Sequence, residues 1–178
     1  MRKLACLCGL VLALAVSASA QDYPKAEVFG GYSYLHTSIL GTGFSSNGAS
    51  GSISVNPNNW LGLVGDFGVY HNSTGAGANT VSYLFGPKLA YRHSDKLTPY
   101  FHFLLGGAHV GTGFAGGASA NAFALAFGGG FDAKVSPHVA IRLIQAEYVL
   151  TKFNFGVVST HQNNARISAG IVFRSGGR

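Results

Sequence analysis

The chain has 178 residues, a formal net charge of +6, only 10% charged residues and 26 glycines, with a mean hydropathy of +0.25. So few charges make too apolar a surface for an ordinary water-soluble protein, and the glycine content suits tight walls and turns. The length suits one domain, and the weak, dispersed positive charge argues against a nucleic-acid partner.

At the start, Met1-Arg2-Lys3 gives a positive segment, residues 4–16 an apolar one, and Ala18-Ser19-Ala20 a small-residue cleavage site before Gln21. This is the pattern of a secretory signal peptide over residues 1–20, leaving residues 21–178 as the folded domain. Both cysteines, Cys6 and Cys8, fall inside it, and Leu7 before Cys8 does not fit a lipoprotein site. The mature domain is expected to have no thiol, disulfide or cysteine-based metal centre. Loss of Arg2 and Lys3 takes the charge from +6 to +4. No later stretch has the roughly 18 consecutive apolar residues of a membrane helix, so any membrane span must be built from strands.

Eight alternating segments follow. Residues 26–36 set Val28, Tyr32 and Tyr34 against Glu27 and Ser33, and residues 48–56 set Ala49, Ile53 and Val55 against Ser50, Ser52 and Ser54. Residues 60–70 oppose Leu61, Leu63, Phe67 and Val69 to Val64, Asp66 and Gly68. The fourth segment, 81–92, has Tyr83, Phe85, Pro87, Leu89 and Tyr91 on one parity and Ser82, Leu84, Gly86, Lys88, Ala90 and Arg92 on the other. After a turn at His93-Ser94-Asp95-Lys96, residues 99–111 resume with Pro99, Phe101, Phe103, Leu105 and Gly107 opposed to Tyr100, His102, Leu104, Gly106 and Ala108. Residues 121–133 oppose Phe123, Leu125, Phe127 and Phe131 to Gly128, Gly130 and Asp132; the seventh segment is 139–151; and 165–174 opposes Ile167, Ala169, Ile171 and Phe173 to Arg166, Ser168, Gly170 and Arg174. A period of two means strand, and eight such segments joined in succession give an all-β, eight-stranded antiparallel up-and-down barrel.

Volume decides which face is inside. The bulky phenylalanine and leucine parity cannot fit a bore that side chains of eight strands only just fill, whereas the opposite parity is padded with glycine and alanine. The apolar face therefore meets lipid and the small, charged face lines the lumen, as in a transmembrane barrel. In the seventh segment Arg142 has the opposite parity to Gln145 and Glu147. All three are costly in lipid, so a β-bulge near Leu143 and Ile144 is expected to return each of them to the lumen.

The connections at 57–59, 93–97 and 134–138 are short, and those at 37–47, 71–80, 111–120 and 152–164 are long and rich in Gly, Ser and Asn. Outer-membrane barrels have short periplasmic turns and long external loops, which puts both termini in the periplasm. Trp60, Tyr91 and Tyr100 then mark an inner aromatic girdle, and Tyr34, Tyr70, Tyr83 and Phe123 an outer one.

The stretches AEVFGGYSYL, NNWLGLVGDFG, YLFGPKLAYR, TPYFHFLLGGAHVG, FGGGFDAKVSPHVAIRLIQAEYVLTKF and NNARISAGIVFR, which cover nearly the whole mature chain, resemble the small outer-membrane β-barrel proteins built like the transmembrane domain of outer-membrane protein A. The resemblance implies an outer-membrane location, contact with outer-membrane lipids, and the barrel-assembly machinery as a partner during biogenesis. That machinery reads alternating aromatics at the end of the last strand. This chain departs from the pattern, since Phe173 is followed by Ser175 and a Gly-Gly-Arg tail.

Three constellations bear on activity. Gly111-Thr112-Gly113-Phe114-Ala115-Gly116 matches GxGxxG after a strand, but no helix follows to hold a pyrophosphate, so no dinucleotide cofactor is expected. His36, His71 and His109 share the lipid-facing parity at the ends of three strands, with His161 in the last long loop. They spread around the outside instead of converging, so neither a metal site nor a catalytic histidine is expected, and no Ser and His pair marks a lipid-modifying enzyme. The third is the lumen charge set, comprising Glu27, Asp66, Lys88, Arg92, His102, Asp132, Arg142, Gln145, Glu147, Arg166 and Arg174. Charges in a narrow, partly dry bore must pair, and two stacked clusters are expected, with Asp66, Lys88 and Glu147 nearer the middle. The sequence therefore reads as a non-enzymatic outer-membrane barrel with a structural or surface-interaction role and a plugged lumen. A small-solute or ion pore is the second reading, and a lipid-modifying enzyme the third.

Overall fold

A computed structural model describes residues 23–39, 42–72, 78–94, 96–112, 119–155 and 158–176. The expected signal peptide and the GxGxxG residues beyond Thr112 lie outside them. Eight strands form one closed barrel in chain order: β1 (Ala26–Ile39), β2 (Thr42–Val55), β3 (Leu61–Asn72), β4 (Ala78–Ala90), β5 (Leu97–Thr112), β6 (Ser119–Lys134), β7 (Val139–Phe155) and β8 (Val158–Ser175). Every neighbouring pair is antiparallel, and β1 closes on β8 through Ala26↔Ser175 to Ser38↔Asn163. Closure leaves no unpaired strand edge, which a lipid environment requires.

The alternation sorts as the volume argument demands. Val28, Ile53, Leu63, Phe67, Phe85, Phe101, Phe103, Phe123, Phe131 and Ile171 are exposed on the outer wall, while Glu27, Asp66, Lys88, His102, Asp132, Arg142, Glu147 and Arg166 are buried inside. The lumen is not lined by small and charged residues alone. Val64, Leu84, Leu104, Ala108, Ala124, Ala126 and Val149 form a buried apolar cluster within it, and Phe29, Ala140 and Val172 form a second.

Strand β7 carries the expected bulge. Arg142 faces Gly170 and Gln145 faces Ser168, so Leu143 and Ile144 stand opposite the single residue Ala169. The ladder to β6 slips at the same place, with Phe131↔Ile144 followed by Asp132↔Arg142. Leu143 and Ile144 are both exposed to the outside while Arg142, Gln145 and Glu147 are all buried. One inserted residue thus switches parity and keeps three polar side chains out of lipid.

The long loops expected at 37–47, 71–80, 111–120 and 152–164 are, where described, mostly strand: β1 and β2 run to Ile39 and from Thr42, and β7 and β8 to Phe155 and from Val158. An established neighbour lets the backbone of Gly, Ser and Asn continue the ladder, and beyond the apolar band these residues need no alternation. A tilted strand crosses the bilayer in about 9–11 residues, yet these have between 12 and 18. The surplus lies at the end away from the termini, where the outward positions turn polar at His36, Asn47, His71, Asn79, His109 and Asn121. At the other end Lys25 N–H donates to Ser175 O (2.8 Å), tying the two termini together.

Deleting Ile144 should remove the parity switch and force either Arg142 or Gln145 and Glu147 into lipid, at a cost on the order of 2–4 kcal/mol for an arginine at the midplane. The deletion variant should lose the compact, heat-sensitive gel band of a closed barrel. A wild-type band and unfolding midpoint would contradict the role given to the bulge.

Candidate functional site: the luminal ion-pair network

All eight strands and the turn after β4 bring the polar side chains together. At the end near the termini, Glu27 on β1 is contacted by Lys88 of β4, which also donates to Ser54 Oγ (3.2 Å). Arg92 Nη2 reaches the same carboxylate at 3.4 Å, and its Nη1 donates to Asn59 O at 2.6 Å. Arg174 of β8 bridges inward, with Nε 3.2 Å from Glu27 Oε1 and Nη2 3.7 Å from Asp132 Oδ2. At the rim, burial lowers the Arg92 guanidinium from its ordinary pKa while the Glu27 carboxylate opposes the shift.

Deeper in, Arg142 holds Asp132 with two bonds, Nε to Oδ1 (2.8 Å) and Nη2 to Oδ2 (3.2 Å). Its guanidinium lies between the Phe29 and Tyr100 rings, 4.2 and 4.6 Å from their centroids, a cation held by two aromatic faces as well as by a carboxylate. Gln145 is the link to the next tier. Its Oε1 accepts from Arg142 Nη1 (2.6 Å) and Tyr100 OH (2.7 Å), and its Nε2 donates to Glu147 Oε2 (2.7 Å).

Glu147 is the hub of the far half. It accepts from Arg166 Nε and Nη2, both at 2.6 Å, and from His102 Nε2 at 2.8 Å. Arg166 uses its remaining Nη1 on Asp66 Oδ1 (2.7 Å) and Tyr70 OH (3.2 Å). Tyr70 OH in turn lies 3.3 Å from Ser33 Oγ, which bonds Ser168 Oγ at 2.7 Å. Beyond Arg166 lies a cavity of ≈ 50 Å³, walled by Leu35, Leu84, Ala124 and Val149 among others.

All eleven sequence-selected residues therefore share one network, which is a continuous chain rather than two separate clusters, because Gln145 and Arg174 bridge its parts. Lys88 belongs with Glu27 near the termini and not with Asp66 and Glu147. Tyr70 and Tyr100, placed in the aromatic girdles from sequence, point inward and are buried at 2% and 6% exposure. Their even positions put them on the lumen parity, and that parity overrides their aromatic character. Trp60, Tyr91, Tyr83 and Phe123 do stand exposed on the outer wall, and Tyr34 is half-buried. The roles of Phe29, Tyr70, Tyr100, Ser33 and Ser168 were not selected from sequence, although their parity marks each as inward.

Glycines make the room. A Cβ at Gly130 would meet Tyr100 OH at 2.8 Å, and one at Gly62 would meet Asn56 Oδ1 at 2.5 Å and Lys88 Cε at 3.5 Å. At Gly86, Gly106 and Gly128 a Cβ would instead meet the backbone of the neighbouring strand, at Phe103 O, Tyr83 O and Ala146 O, so the padding serves close strand approach as well as luminal room.

His36, His71 and His109 are exposed and separate, each beside an outward neighbour on the next strand: Ser45 (3.4 Å), Asn79 (2.7 Å) and Asn121 (2.8 Å). The side chain of His161 lies outside the described residues. Among the described residues no cluster of three or more His, Cys, Asp or Glu is placed to hold a metal ion.

A closed antiparallel barrel with an apolar outer wall and a paired, polar interior defines a transmembrane β-barrel. The family model of the outer membrane protein β-barrel domain matches residues 6–173, and the chain belongs to that family. Three solved structures show the same fold. Neisserial surface protein A has 14% identity and a TM-score of 0.69, covering 86% of this chain and 99% of its own. Ail, the attachment invasion locus protein of Yersinia pestis, has 18% identity and a TM-score of 0.58, covering 86% and 100%. The outer membrane protein OprG of Pseudomonas aeruginosa has 11% identity and a TM-score of 0.53, covering 86% and 97%. A comparison with curated protein sequences finds no match.

The network ranks its own members. Among the described residues Lys88, Arg92, Arg142 and Arg174 face only the acids Glu27 and Asp132 near the termini, so Lys88→Ala leaves Glu27 two cations and should cost about 1.5 kcal/mol, the low end for a hydrogen bond to a charged group. That is below the ~3 kcal/mol expected for an acid left unpaired. Arg166→Ala strips both Asp66 and Glu147 of their main partner and should cost about 3–5 kcal/mol. Denaturant unfolding of the two variants in lipid vesicles measures the order; Lys88→Ala being the more damaging would contradict it.

Proposed function

We propose that this outer-membrane barrel acts through its outer and external surfaces, as a structural or surface-interaction protein, and that its lumen is plugged. The observation that carries the reading is the unbroken chain of side-chain contacts from Glu27 through Arg174, Asp132, Arg142, Gln145 and Glu147 to Arg166 and Asp66. An ion crossing the barrel would have to break charge-assisted bonds in a bore that eight strands leave barely wide enough for side chains. The reading includes no enzymatic step. Among the described residues the buried carboxylates and His102 are each engaged by arginine, lysine, glutamine or one another.

Both chain termini are assigned to the periplasmic side. Supporting this, the strands outrun the apolar band only at the opposite end, where their outward residues are polar, as expected of hairpins that rise above an outer surface. Barrel-assembly machinery is the proposed partner in biogenesis, and Phe173 is the residue of the last strand best placed for that recognition.

In planar bilayers the purified wild-type protein should show little or no steady conductance. A stable ohmic channel that persists unchanged in Arg166→Ala would overturn the plug and establish the small-pore alternative.

A further inference from the structure

We propose that the lumen seats one free oxyanion of the phosphate class on Arg174 and Arg92, at the end where the termini meet. Among the described residues that half of the network sets four cations, Lys88, Arg92, Arg142 and Arg174, against two carboxylates, Glu27 and Asp132. The other half sets Arg166 against Asp66 and Glu147, with His102 the one group that can add a charge. An excess of two positive charges therefore lies at the terminal end. The side chains of Arg92 and Arg174 are only 6% and 7% exposed, which leaves little water to disperse charge that costs several kcal/mol to bury unpaired.

Arg174 is the least satisfied of these cations. Arg142 and Arg166 each close Nε and Nη2 as a fork on one carboxylate. The Arg174 guanidinium makes no hydrogen bond among the described residues: Nε at 3.2 Å from Glu27 and Nη2 at 3.7 Å from Asp132 are charge contacts only, and both nitrogens are buried without a bonded partner. The acids have little more to give. Glu27 Oε2 already accepts from Lys88, Ser54 and Arg92, and both oxygens of Asp132 are taken by Arg142. Arg92 has a similar shortfall, with Nε buried and unbonded while its other nitrogens reach Asn59 O and Glu27. Buried donors in native proteins are almost always satisfied. Water would satisfy the donors and leave the excess charge, whereas an anion answers both.

Position and shape name the ligand. Arg92, in the turn after β4, and Arg174, near the end of β8, approach opposite oxygens of the same Glu27 carboxylate, so one ion on its terminal side is within reach of both. Lys25, just before β1, and Lys134, the last residue of β6, share the inward parity and add positive field at the entrance. Guanidinium groups bind the oxygens of phosphate or carboxylate in pairs, which favours an oxyanion over a halide. The chain has carboxylates of its own at this end, on Asp22, Asp95 and the C-terminus, all outside the described residues. They are the competing occupants, and only a seat they leave open can take up phosphate from solution.

Equilibrium dialysis with radiolabelled inorganic phosphate tests the proposal, using full-length protein in a phosphate-free maltoside detergent at constant ionic strength. The wild type should bind one phosphate per barrel, saturably. Arg174→Gln and Arg92→Gln should each weaken binding about tenfold or more. Lys152→Gln, which removes an exposed cation at the opposite end of β7, should leave it unchanged. The heat-sensitive gel band checks that each variant is folded, and Arg92→Gln, in a turn, carries the test if Arg174→Gln does not fold. Phosphatidylglycerol added to the micelles should not displace the label, which separates a free ion from a lipid headgroup. A wild type that takes up no phosphate, binding unchanged in the folded arginine variants, equal loss in Lys152→Gln, or displacement by the lipid would each overturn the proposal.

Discussion

Everything in this barrel follows from a bore that eight strands leave barely wide enough for side chains and that is too polar to be left unpaired. Eight strands in lipid must turn their bulky side chains outward, and the inward parity then receives whatever the alternation leaves, including four acids and five bases. Burial of an isolated charge there costs several kcal/mol. Each acid is therefore met by at least one guanidinium or ammonium group, and the neutral side chains of Gln145, Tyr100, Tyr70 and Ser54 add hydrogen bonds to these charged groups and to one another. The fold and the network are one solution, because the strands aim the charges and the paired charges fill the space the strands enclose.

The bulge in β7 shows how tightly the two are coupled. Arg142 must reach Asp132, and Glu147 must reach Arg166, yet Arg142 and Glu147 stand at positions of opposite parity on the same strand. A regular strand could satisfy one contact and would push the other into lipid. The bulge puts two apolar residues side by side on the outer wall, where both are welcome, and lets Gln145 join the two halves of the network. Parity made that feature legible in the sequence, as it did the lumen set itself, since a charge on a lipid-facing position has no alternative partner.

Parity was less decisive where residue type pulled against it. Tyr70 and Tyr100 look like girdle residues by chemistry but sit on inward positions, and each hydroxyl is used within the network. Leu84 and Leu104 line the lumen for the same reason. The partners along the network were not legible, because pairing depends on strand tilt and side-chain reach across the bore: Arg166 meets Asp66, 100 residues away. Strand extents were also concealed. Gly, Ser and Asn at 37–47 and 152–164 carry little β preference of their own, and their pairing is imposed by the neighbouring strand.

The outer wall divides into an apolar band, a polar end beyond it with histidines beside serine or asparagine, and an aromatic end near the termini. The central claim, however, concerns the inside, and a double-mutant cycle on Arg166 and Glu147 addresses it most directly. Unfolding free energies of wild type, Arg166→Met, Glu147→Gln and the double variant in lipid vesicles should yield a coupling of about 2–3 kcal/mol if the pair is dry and bound as described. A coupling near zero would mean that water screens the pair, and would contradict a lumen closed by its own side chains.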